Sequence, residues 1–146
     1  MPPFTVDYLI LVFFSALAAI QIAATYGKLT GILFIKHALA TRVLGFALIV
    51  GMFAWFFISE PRNINDYEGG LDANLQAILF ACGGLAAVAA TFALSSLVNR
   101  TMRRGDPSPD EGFDALTKTT FYAALRHNLG HWRIHWRTRM KQYFSG

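Results

Sequence analysis

Charge is scarce in this chain, and the places it avoids are informative. Only 15% of residues are Asp, Glu, Lys or Arg, against about a quarter in a soluble domain. No Lys or Arg precedes Lys28. The N-terminus therefore lacks the basic start of a cleaved secretory signal, and the first apolar run is expected to remain in the mature protein. A lone cysteine, Cys82, excludes a disulfide framework and a Cys-based metal site; it reads as a small packing residue. The apolar runs hold no acid, base or imidazole near mid-depth. Pumps, transporters and proton relays need such groups. An intramembrane hydrolase would need a Ser–His pair, an Asp pair or a metal cluster, and the runs hold none of these either.

What the chain has instead is three apolar runs, roughly residues 5–26, 43–59 and 73–98, followed by a basic tail. About 20 apolar residues let a helix cross a ~30 Å hydrocarbon core. In lipid the backbone must bond to itself, which makes each run a helix. The predicted fold is all-α: an integral membrane protein with three transmembrane helices in 1–98, a hinge at 99–108, and a cytoplasmic amphipathic basic helix in 109–146.

Small residues mark the expected helix contacts. Ser15, Ala19 and Ala23 recur at spacing four in the first span, Ala47 and Gly51 in the second, and Gly83 and Ala87 in the third. Such stripes let helix backbones approach closely. The third span has the most small residues and should be the packing centre. Gln21, the strong hydrogen-bonding group deep in span one, is expected to pair with another helix. Gly27 to Gly31 breaks the first helix. A juxtamembrane helix then runs from about Gly31 directly into span two, roughly 43 Å long to Ser59 at 1.5 Å per residue. Phe53, Trp55, Phe56 and Phe57 form an aromatic belt at the far end of that span.

Glu60 and Pro61 end the second helix, and an acidic loop follows. Asn63, Asn65, Asp66, Glu68 and Asp72 could be read as a cation site. Their spacing does not match a Ca²⁺ loop. A solvated loop in which Asp72 caps the third helix is the stronger reading.

Orientation follows from charge. All but Arg62 of the 13 Lys and Arg residues lie between spans one and two or after span three. These regions share one side of the membrane. The positive-inside rule makes that side cytoplasmic and places the N-terminus outside. A bacterial inner membrane is the expected location.

In the tail, Ser108, Pro109 and Glu111 resemble a helix start with a capping box. Phe121, Leu125, Leu129, Trp132, Trp136 and Met140 then recur at steps of three or four, with Arg126, Arg133 and Arg137 along one edge. One continuous helix over 109–143 is expected, lying against anionic lipid or a partner. His127, His131 and His135 fall on the opposite side. Spacing of four can chelate a metal, but no acidic or thiol ligand completes the set, and an exposed polar stripe is the preferred reading. No metal, cofactor or nucleic acid is expected.

These features point to a non-enzymatic membrane subunit that anchors or organises a larger assembly, with a protein partner or a second copy of itself. One alternative is an accessory component of an enzyme acting on lipid-linked phosphates, with Lys28, Lys36, Arg42, Arg103 and Arg104 gripping the phosphate. Another is a holin-like pore-forming protein, against which the long tail argues.

Overall fold

A computed structural model describes residues 3–59, 72–99, 116–117, 119–122 and 125–126. The described residues are all-helical. Three helices, α1 (Pro3–Tyr26), α2 (Ala38–Ser59) and α3 (Ala73–Val98), are each long and apolar enough to cross a membrane. At 1.5 Å per residue they measure about 33 to 39 Å, which exceeds the ~30 Å core with a turn or so to spare.

Their arrangement is asymmetric. α1 lies between α2 and α3 and packs against both, whereas α2 and α3 make little contact with each other. α3 meets α1 through Leu79, Gly83, Ala87, Thr91 and Ser95, buried positions four apart. A Cβ on Gly83 would sit 2.8 Å from Val12 Cγ1, so the glycine sets the closeness of this crossing. α2 meets α1 at Gly45, where a Cβ would sit 2.7 Å from Ile22 Cγ1. The hydroxyls within α3 bond back to their own helix: Thr91 Oγ1 donates to Ala87 O at 2.8 Å and Ser95 Oγ to Phe92 O at 3.3 Å. Neither leaves a bare polar group in an apolar setting.

The ends of the helices have local causes. Asp72 caps α3, its side chain accepting from Leu75 N–H at 2.8 Å. α1 ends where Lys28 takes a left-handed φ of 54°, and Leu29 N–H reaches back to Ala24 O at 3.0 Å. This closes the helix as a Schellman turn with a lysine in the place usually given to glycine.

The long helix expected from Gly31 to Ser59 does not form. Thr30–Ile32 is a single 3-10 turn, and α2 begins only at Ala38. The physical reason lies in the intervening backbone groups, which bond to side chains instead of to a helix ladder. Gln21 Nε2 donates to Ile32 O at 3.0 Å, and Phe34 N–H donates to Gln21 Oε1 at 2.9 Å. Gln21 therefore pairs with the α1–α2 connection, not with a second helix. Asn99 Nδ2 donates to Gly31 O at 3.3 Å and Leu33 O at 2.8 Å. His37 then starts α2, its Nδ1 accepting from Ala40 N–H at 3.2 Å.

The expected unbroken helix over 109–143 is also interrupted. Residues 116–117 form a 3-10 turn, residue 119 is a bend and residue 120 has no regular structure; 121–122 and 125–126 have helical backbone. Thr117, Thr119 and Thr120 are poor helix formers, and their backbone has other engagements. Thr30 Oγ1 donates to Thr117 O at 2.6 Å.

Candidate functional site

Among the described residues, three places could serve a partner or ligand: a node and a groove at opposite ends of α1, and a second cavity of about 620 Å³ between α3 and the tail, lined by Phe92, Ser96, Thr120, Phe121 and Tyr122.

At the end carrying the α1–α2 connection, apolar and polar groups close a compact node. Ala24, Ile32, Leu33 and Leu116 form a buried cluster, with Leu29, Phe92 and Phe121 packed against it. Phe121 stacks on Phe92 of α3, ring centroids 4.0 Å apart. Gly31 is pressed so closely by Leu116 and Thr119 that a Cβ would collide with the Thr119 carbonyl and approach Leu116 O at 2.8 Å. Asn99 is completely buried. It spends its amide on two carbonyls while its Oδ1 has no partner.

On the rim of this node stands Arg42, half-buried, one turn into α2. Its Nε donates to Thr25 Oγ1 at 2.8 Å, and its guanidinium lies 4.0 Å over the Tyr26 ring. Thr25 Oγ1 in turn donates to Ile22 O at 2.7 Å, which fixes the acceptor. Lys28 and Lys36 are exposed at the same end.

The opposite half is open. Where α2 and α3 diverge, a groove of about 630 Å³ runs across α1. Phe53, Phe56 and Phe57 wall one side, Gln76, Phe80 and Gly84 the other, and Tyr8, Leu11, Ser15 and Ala19 form the floor. Phe56 is buried among Phe4 and Tyr8, centroids 5.8 and 6.2 Å away. Ser15 Oγ is buried and has no hydrogen-bond partner.

The small-residue stripes divide between these surroundings. Gly83 and Ala87 lie inside the α1–α3 contact. Ala19 and Ala23 are exposed, and the buried side of α1 instead runs through Leu11, Ala18, Gln21 and Ala24. Ala47 and Gly51 are also exposed, and a Cβ on Gly51 would meet nothing within 4 Å. Cys82 is exposed on α3. Leu125 and Arg126 are exposed in the tail. Arg103, Arg104, Leu129, Trp132, Arg133, Trp136, Arg137, Met140 and the three tail histidines lie outside the described residues. Among the described residues, no three His, Cys, Asp or Glu side chains gather as a metal site.

Sequence reasoning passed over Thr25, Tyr26, Thr30 and Asn99. Asn99 left one trace, a polar amide immediately after an apolar run. Nothing local tied Thr25 to Arg42, 17 positions away.

The chain matches no family model, no curated protein and no solved structure.

Proposed function

We propose that this protein is a non-enzymatic subunit that anchors or organises a larger assembly in a bacterial inner membrane. In this reading the α1–α2 connection and the tail face the cytoplasm, as the distribution of Lys and Arg favours. The groove between α2 and α3 receives a transmembrane helix of the partner.

The observation that carries the reading is the groove's floor. Ser15 lies in that floor among small residues. Gly84 and Ala19 beside it have small side chains, which permits a close crossing. Apolar exposure alone would not support a partner, because lipid covers it equally well. The small residues in an otherwise aromatic-walled groove are what favours a helix over lipid.

Photo-crosslinking in native membranes tests this. A photoreactive residue replacing Ala19, in the groove, is expected to give a discrete protein adduct. The same residue replacing Leu85, 70% exposed on α3, is expected to give lipid adducts. Lipid adducts alone from both positions would overturn the reading.

A further inference from the structure

We propose that Arg42 binds the phosphate of an anionic lipid headgroup, and that Thr25 and Tyr26 hold its guanidinium in place for that purpose. This is independent of the groove and its occupant.

The argument begins with what the guanidinium has already used. Nε is committed to Thr25 Oγ1 at 2.8 Å, and one face lies on the Tyr26 ring at 4.0 Å. These contacts fix both the plane and the rotation of the fork. Among the described residues, the terminal Nη groups have no hydrogen-bond or ion-pair partner. An arginine with a fixed plane and a free terminal edge is suited to two parallel hydrogen bonds onto a phosphate. Prior ordering removes much of the side-chain entropy cost that binding would otherwise carry. The described carboxylates, Asp7 and Asp72, belong to the opposite end of the bundle, so neither neutralises Arg42.

The ligand is a lipid and not a free anion because of what lies below the guanidinium. At 100° per residue, Phe46 and Val50, one and two turns further into α2, share a side of the helix with Arg42. They are 57 and 65% exposed. A phosphate held at Arg42 therefore has an apolar stripe leading from it into the membrane, where an acyl chain can lie. Exposed Lys28 and Lys36 at the same end add attraction for an anionic surface. They lack the fixed geometry of Arg42 and contribute field more than specificity.

The test uses the purified full chain in mild detergent and native mass spectrometry, titrated with phosphatidylglycerol or phosphatidylcholine. The wild type is expected to retain phosphatidylglycerol in preference. Arg42→Ala should weaken retention about tenfold, the size of one charge-assisted contact. Arg42→Lys keeps the charge and most of the stem, and should still lose several-fold because an ammonium cannot form the fork. Thr25→Val removes only the Nε acceptor and should weaken retention by a smaller factor, with thermal stability in lipid-free detergent little changed. If Arg42→Ala fails to fold, the other two variants carry the test. Unchanged retention in both Arg42→Lys and Thr25→Val would overturn the proposal. So would equal retention of the two lipids. Competition by inorganic phosphate as effective as that by phosphatidylglycerol would overturn the lipid assignment.

Discussion

The two halves of the transmembrane region solve the same problem in opposite ways. At the connection end, irregular backbone lies beside the helix ends, and every exposed carbonyl there costs free energy unless answered. Gln21 and Asn99 answer Gly31, Ile32, Leu33 and Phe34. Leu116 and Phe121 then cover the result. At the other end the helices are regular, their backbones satisfy themselves, and nothing forces α2 and α3 together. They diverge and leave the groove, with Ser15 Oγ unanswered. Polar demand satisfied the connection's backbone, and its absence at the other end left α2 and α3 apart. Stability should therefore concentrate at the connection, and interaction at the groove.

The sharpest way to break that division is to open the closed end. Gly31→Ala places a Cβ against the Thr119 carbonyl, a backbone atom that cannot rotate aside. Displacing residues 116–119 would also cost the Thr30–Thr117 bond and the cover over Ile32 and Leu33. The expected loss is about 3 kcal/mol, the upper range for overpacking, read as a fall in thermal unfolding temperature in detergent. A substitution within about 0.5 kcal/mol of wild type would show that the tail is not docked on Gly31.

A smaller effect is expected from removing the side-chain amides. Asn99→Leu leaves the carbonyls of Gly31 and Leu33 without their donor, and Gln21→Leu takes the donor from Ile32 O and the acceptor from Phe34 N–H. Each should cost about 1 to 2 kcal/mol, because local repacking or water recovers part of the loss. Both amides act on one short connection, so their effects should not add. Hydrogen exchange at residues 31–35 is the direct measurement. Protection that survives both changes would show that the connection holds itself without them.

The contrast also explains what was readable in the sequence. The three spans were visible because a length of apolar residues is a local property, and so was the Asp72 cap, which acts on Leu75 in the next turn. The start of α2 was misplaced to Gly31 because its determinants are not local. Asn99 lies 68 positions from Gly31, and Thr30 lies 87 from Thr117. Composition at 31–42 reads as helix; only the arrival of distant amides reroutes its backbone. The small-residue pattern had a related limit. Gly83 and Gly84 are adjacent and chemically identical, yet one faces α1 and the other the groove. Periodicity locates a stripe of small residues without saying which stripe has a neighbour.

That adjacent pair gives the finest test, with the smallest expected change in the chain itself. A Cβ on Gly84 meets no atom within 4 Å, and the groove beside it gives a leucine side chain open space. Replacing a mid-helix glycine should even favour the helix, by up to about 1 kcal/mol. The isolated protein should therefore unfold at the same temperature or slightly higher. Gly83→Leu, one position away, drives its side chain into Val12 and should destabilise clearly. The informative measurement on Gly84→Leu is assembly, not stability. Leucine there fills part of the groove beside Gln76 and Phe80 and should exclude a closely packed helix while leaving the surface as apolar as before. Loss of the Ala19 crosslink with stability retained would place the partner in the groove. An undiminished crosslink would mean that the occupant does not approach α3, and the open half would then be a lipid-filled gap with no role in assembly.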